Sequence, residues 1–249
     1  KGEFSVLEKQ LARTGERFSR IPMKLPPEVV PTIALIGEIF VRRDGLSRQY
    51  IMEHLAEKGF ASICASSIEW LLYCHYLMDN GLSDHTMTPR EKLNFIIRKR
   101  FMARYEKQIK TMLSRSGLIH AKPFNVKKVI KNALPYLSPN LTGEAILTVG
   151  SAITEIVSDA CGVIAIGPFG CMPNRLSEAL LTETMNSEAK LATDPKNKQL
   201  KTILDGVEDL PFLAIESDGS PFPQLIHAQL EAFCLRAERL HDIMINADH

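Results

Sequence analysis

Cys171 stands in the stretch GVIAIGPFGCMPNRLSEALL (residues 162–181), where an apolar run stops at Gly167 and Pro168 and an amphipathic run opens at Pro173. A thiol just before the first turn of a helix sits beside free backbone N–H groups and the positive end of the helix dipole. Both favour the thiolate, the form that attacks electrophiles or ligates a metal. The same spacing also suits a small apolar side chain filling a tight turn. Gly167 and Gly170 permit close approach of a ligand to the backbone, and equally permit the turn itself.

Two other loops have the same character, GEIFVRRDG (37–45) and ESDGSPFP (216–223). The three loops offer Glu38, Arg42, Arg43, Asp44, Cys171, Asn174, Glu216, Asp218 and Ser220. Glu38 and Asp218 are candidates for acid–base work or for holding a ligand hydroxyl, although Asp218-Gly219 ahead of Pro221 is also plain turn chemistry. With Cys171 and Asn174 they make up the candidate cofactor-binding set. Cys64 closes the apolar run FASIC and is the other cysteine able to approach Cys171, so these two are the candidate metal ligands. Cys161 lies about five strand residues, at ~3.3 Å each, from the edge where Cys171 emerges, and the two cannot share a site. Cys74, beside Trp70 and Tyr73, and Cys234, among Leu230, Phe233 and Ala237, read as packing. His227, near Gln224 and Glu231, reads as a surface or capping residue.

The elements that must position these residues follow from periodicity. Ile33–Ile36, FASIC (60–64), GVIAIG (162–167) and PFLAIES (211–217) read as strands. Ser47 reads as the N-cap of a helix through Ile51, Met52, Leu55 and Ala56 that stops at Gly59. Residues 144–160, with apolar side chains at Ile146, Val149, Ile153, Ile156 and Val157, read as a helix lying on the sheet. Helices follow at Asn174–Met185 and from Gln224 onward, and residues 187–209 read as a charged surface excursion. Strand–loop–helix–strand order implies an α/β fold with a parallel sheet of at least four strands. Residues 1–30, a short polar helix and a connector with four prolines, read as an approach segment. Residues 31–249 form the α/β domain, with 66–140 a helix-rich insertion or subdomain that contains the loop 80–89 and a helical segment in 121–137. In such sheets, ligands gather beyond the carboxyl ends of the strands, which is where the three loops lie.

Composition narrows the class. The chain has 249 residues, 45% hydrophobic and 24% charged, with a formal net charge of +1, the profile of an ordinary globular protein. No apolar stretch approaches the roughly 20 residues that span a bilayer, and KGEFSVLEKQ at the start has no secretory h-region. The chain lacks an initiator Met, as a processed chain or an excised piece of a longer one would. Five widely spaced cysteines favour a reducing, cytoplasmic setting over a disulfide framework, and the lack of a C-x-x-C pair argues against a self-contained zinc site. No Walker loop, G-x-G-x-x-G or Ser/His/Asp arrangement is present. Residues 90–131 hold thirteen Lys/Arg against Glu91 and Glu106. Such a stretch could face nucleic acid, an anionic cofactor or an acidic partner, or be a solvated helix face; no nucleic-acid motif accompanies it.

Three segments carry a resemblance: IALIGEIFVRRDG (33–45), LTGEAILTVGSAITEI (141–156) and ACGVIAIGPFGCMPNRLSEALL (160–181). Together they resemble the acyl-CoA dehydratase activase-related proteins, similar to activators and subunits of 2-hydroxyglutaryl-CoA dehydratase, over most of residues 31–240. The resemblance implies a flavodoxin/Rossmann-like sheet and an anaerobic, cytoplasmic electron-transfer system. In it, an ATP-driven activator passes an electron to a partner that carries a [4Fe–4S] cluster held by cysteines on strand-end loops. It puts Cys171 on such a ligand loop, for which Cys64 is the one geometrically plausible second ligand. It makes the rest of a parent chain, including its ATP-dependent activator module, and an acyl-CoA dehydratase-type protein the expected partners. The acidic and glycine-rich phosphate loops of the ATP-binding module and the further cysteines of a complete cluster are absent from these residues. A second reading is a non-catalytic binding or regulatory module, with the same loops cradling an anionic, CoA-like ligand or a protein partner.

Overall fold

The computed structural model describes residues 2–83, 87–119 and 121–247. In chain order it has α1 (Gly2–Ser19), β1 (Thr32–Gly37), α2 (Ile51–Glu57), β2 (Ala61–Cys64), α3 (Ile68–Asp79) and α4 (Pro89–Leu113). It continues with α5 (Val126–Ala133), α6 (Ala145–Glu155), β3 (Gly162–Pro168), α7 (Met172–Thr184), α8 (Ser187–Thr193), α9 (Lys198–Ile203), β4 (Phe212–Ser217) and α10 (Gln224–Ala247). Two compact units emerge, one of residues 1–29 with 75–125, the other of residues 30–74 with 126–249.

The larger unit is an α/β fold of the Rossmann/flavodoxin-like class, with a sheet ordered β2-β1-β3-β4 and every pairing parallel. β1 and β3 are central and nearly free of polar side chains, as strands covered on both faces must be. Their side chains alternate. Ile33, Leu35, Ile164 and Ile166 pack with Ile51 and Leu55 of α2 and with Leu230, Phe233 and Ala237 of α10. The other face is covered by α6, which packs on β1 and β3, and by α7, which packs on β3 and β4. Cys161 and Cys234 belong to the first of these layers. Burial pushes the Cys161 thiol up to about 12 and the Cys234 thiol up to about 11, so both remain protonated packing groups.

The chain leaves β1 toward β2 on one side, and β3 and β4 are added on the other. The β1/β3 boundary is therefore the topological switch point, where the loops leaving two neighbouring strands diverge and open a crevice.

Two sequence expectations are corrected. Ser47 does not cap α2, which begins at Ile51 after Tyr50 in a left-handed conformation. Ser47 is already committed: its N–H and Oγ both donate to Asp44 Oδ2, at 2.7 and 2.8 Å, and residues 39–50 remain a series of turns. Residues 187–209 are not a surface excursion. Asn186 and Asn197 accept from Ala189 and Leu200 N–H at 2.9 and 3.0 Å, start α8 and α9, and bury Ala189, Lys190, Leu200, Ile203 and Leu204.

The smaller unit joins α1 to α4. Thr88 and Glu91 form a reciprocal capping box at the start of α4. Phe4 packs on Tyr105 with ring centroids 4.2 Å apart, and buried Glu106 accepts from Phe124 N–H at 3.0 Å. Residues 84–86 of the loop 80–89 lie outside the described residues.

Candidate functional site

The site is built at the carboxyl ends of β1, β3 and β4. β3 runs into Pro168, Phe169 and Gly170, whose φ of +71° suits glycine, and Cys171 then serves as N-cap of α7. Cys171 N–H donates to Pro168 O at 3.2 Å, and its side chain makes no capping hydrogen bond. The thiol is half-buried and flanked by the exposed side chains of Phe169 and Met172. A helix N-terminus with a free thiol at its cap is thus presented at the switch-point edge.

Asn174 is buried on the first turn of α7, with its Nδ2 unpartnered. It wedges against Gly167, where an added Cβ would lie 2.6 Å from Asn174 Cγ. The glycine is needed because α7 must approach β3 this closely to hold Cys171 at the strand end. On β1, Gly37 (φ +105°) has no room for a side chain, since a Cβ there would lie 2.1 Å from Ile166 O.

Glu38 follows, and its Oε2 accepts from Phe40 and Val41 N–H at 3.0 and 2.7 Å, so this carboxylate shapes its own turn. Asp218 does likewise, accepting from Ser220 N–H at 2.8 Å. The loops after β1 and β4 are tied together: Ser217 Oγ donates to Ser47 O, and Gln49 Nε2 donates to Gly219 O at 3.4 Å.

Cys64 is not brought to Cys171. Its Cα pairs with Leu35, and Leu35 with Ile164, so it is level with the middle of β3, seven residues short of Cys171. β1 also stands between their strands, a lateral offset of about 10 Å at ~4.8 Å per strand. Cys64 Sγ instead donates toward Arg42 O at 3.6 Å, and burial raises its pKa.

Sequence reasoning missed two ion pairs that frame the edge. Arg42 and Glu69, at 2.5 Å, are both almost fully buried, and Arg42 Nη1 also donates to Gly37 O at 2.6 Å. Burial raises the Glu69 pKa and Arg42 opposes the rise. Glu144, facing the same polar cleft, is raised by burial and then by Glu38. The second pair, Arg175 Nε to Glu216 Oε1 at 2.7 Å, joins α7 to the end of β4. Its signal was the β3–β4 adjacency, which sets Glu216 opposite Gly167. Glu69 had no sequence signal, because α3 reads simply as an apolar helix.

The edge offers one thiol, backbone N–H groups and a buried amide. Among the described residues no three His, Cys, Asp or Glu side chains are grouped to hold a metal ion. A [4Fe–4S] cluster takes four ligands, chiefly thiolates, so these residues fit one ligand position and not a complete cluster site. Comparison with protein-family models, curated proteins and solved structures finds no match for this chain.

Proposed function

We propose that this chain is a non-ATPase domain of an activase-like protein of the acyl-CoA dehydratase type, acting in electron transfer. In this reading Cys171 supplies one thiolate to an iron–sulfur site whose other ligands come from beyond these residues. The observation that carries the reading is the half-buried thiol of Cys171, uncommitted to capping, at the N-terminus of α7 and the switch point of the sheet. When bound, the cluster would supply one-electron chemistry. The chain's own contribution is positional: Gly167 and Asn174 set the approach of α7, and the Arg175–Glu216 pair fixes it to β4.

The test is anaerobic reconstitution, with ferrous iron and sulfide, of the longer parent chain that this reading expects, which holds the remaining ligands. Bound iron, acid-labile sulfide and the absorption spectrum are read for the wild type, Cys171→Ala and Cys64→Ala. Iron and sulfide lost in Cys171→Ala and retained in Cys64→Ala is the expected result. Loading equal in wild type and Cys171→Ala, or none in any of the three, sinks the assignment for this chain.

A second reading, an anionic CoA-like ligand at the same edge, is favoured by the unpartnered Nδ2 of Asn174 beside the first-turn N–H groups of α7. Calorimetric titration with CoA separates the two: heat of binding that Asn174→Ala removes and Cys171→Ala leaves intact favours the ligand.

A further inference from the structure

α4 carries eight Lys/Arg and two acids, and neither acid is available to an outside group. Glu91 is engaged in the capping box, and Glu106 is buried with Phe124 N–H and Lys110. Helical geometry at 100° per residue places Phe95, Lys99, Met102 and Glu106 on one side. That side is occupied by His75 against Phe95 (4.9 Å), by the Lys99–Asp79 pair and by the buried Glu106. The opposite side carries Leu93, Ile96, Ile97 and Phe101, exposed by 59%, 40%, 43% and 53%. Arg100 and Arg104 fall on this same face, both exposed, and neither has an ion-pair partner among the described residues.

We propose that this face of α4 is a docking surface for an acidic amphipathic helix of a partner protein, one with carboxylates bordering a Leu/Ile/Phe strip. Charge complementarity selects the partner's sign. Interleaving selects its form: guanidinium groups lie among the apolar side chains, three or four residues away, so the surface is matched by discrete carboxylates set beside apolar residues. An anionic lipid surface calls for apolar and basic residues on opposite faces, which α4 does not have. Three aliphatic side chains on the face have no counterpart in a phosphate backbone, and Phe101 already stacks on Tyr105, with ring centroids 6.3 Å apart, rather than standing open to a base. The inference is independent of the role given to Cys171.

The experiment uses the full chain and a fluorescein-labelled synthetic helix with Leu at heptad spacing flanked by Glu, followed by anisotropy. A Glu→Gln version, phosphatidylglycerol vesicles and a single-stranded oligonucleotide serve as alternative probes. The expected result is binding of the Glu peptide that weakens at least about tenfold from about 50 to about 500 mM NaCl. The Gln peptide, Arg100→Glu/Arg104→Glu and Ile97→Asp each weaken it by about tenfold or more, with circular dichroism unchanged. No binding of the Glu peptide, binding indifferent to these substitutions, or tighter α4-dependent binding of vesicles or oligonucleotide overturns the proposal.

Discussion

Gly167 and Gly37 are the residues whose size matters most to the site, for different reasons. At Gly167 the backbone is ordinary, and an added Cβ meets Asn174 Cγ and Oδ1 at 2.6 and 2.7 Å, so the cost is overpacking. Gly167→Ala is expected to lose about 1–3 kcal/mol in denaturant unfolding and to raise the reactivity of Cys171 toward a thiol reagent, because Asn174 can yield only by moving the first turn of α7. Gly37→Ala is expected to cost more, since φ of +105° is strained for alanine and the clash is with the backbone of β3. The Arg42–Glu69 pair supplies a second prediction. Arg42→Met leaves a buried carboxylate uncompensated and is expected to cost about 3–5 kcal/mol, whereas Arg42→Met with Glu69→Leu recovers much of the loss. Equal costs for the single and double variants would show that Arg42 acts through its bond to Gly37 O alone. Cys171 was legible at this scale because punctuation by Gly and Pro around a thiol is local. The true commitments of Glu38 and Asp218 were not, because a carboxylate that shapes its own turn and one that awaits a ligand have the same sequence.

The strands and the helices that flank the site follow from apolar periodicity, and all four strands fall where the sequence puts them. What failed were boundaries set by side-chain competition: Asp44 takes Ser47 away from capping, and Asn186 and Asn197 nucleate helices in a stretch too polar to show a periodic face. Within that stretch Lys190 reaches the end of α6, where its Nζ donates to Ile153 O, Thr154 O and Ser158 Oγ at 3.0, 2.9 and 2.9 Å. Lys190→Met removes these bonds and leaves the helix-end carbonyls unpaired, so a loss of about 2–3 kcal/mol is expected. Glu155 closes the same helix, and burial, then Asp159, pushes its pKa up from 4.5 to about 7. A raised carboxyl binds its proton more tightly folded than unfolded. The stability it contributes is therefore full below about 4.5 and is lost as pH rises through about 7. Lys190 has the opposite sign: burial, then Lys128, lowers it from 10.5 to about 7, so its contribution is present above 10.5 and lost as pH falls through about 7. A minimum of melting temperature near neutrality is expected. Glu155→Gln should remove its acid limb and retain the alkaline limb, which then extends to lower pH because Glu155 no longer raises the Lys190 pKa. An acid limb unchanged in Glu155→Gln would assign it to other carboxylates.

At the scale of the whole molecule the charge is divided as the fold is. Residues 1–29 with 75–125 carry sixteen Lys/Arg against eight Asp/Glu, while residues 30–74 with 126–249 carry fourteen against twenty-one. The sequence displayed the basic stretch but not this division, since residues 1–29 and 75–125 are far apart along the chain and are united only by the packing of α1 on α4. Each unit carries an excess of one sign, and self-repulsion within a compact body lowers its stability until salt screens it. The smaller unit holds more excess charge on fewer residues, so its unfolding should be the more salt-sensitive. A built-in probe separates the two. Trp70, the single tryptophan, is in the larger unit, whereas far-ultraviolet circular dichroism sees helices in both. At about 20 mM NaCl the dichroism transition should begin below the Trp70 fluorescence transition. At about 300 mM salt, where the screening length falls below ~10 Å, the two should approach each other through an upward shift of the dichroism curve. Transitions that coincide at both salt concentrations would mean that the units unfold as one cooperative body, and the charge division would then carry no consequence for stability.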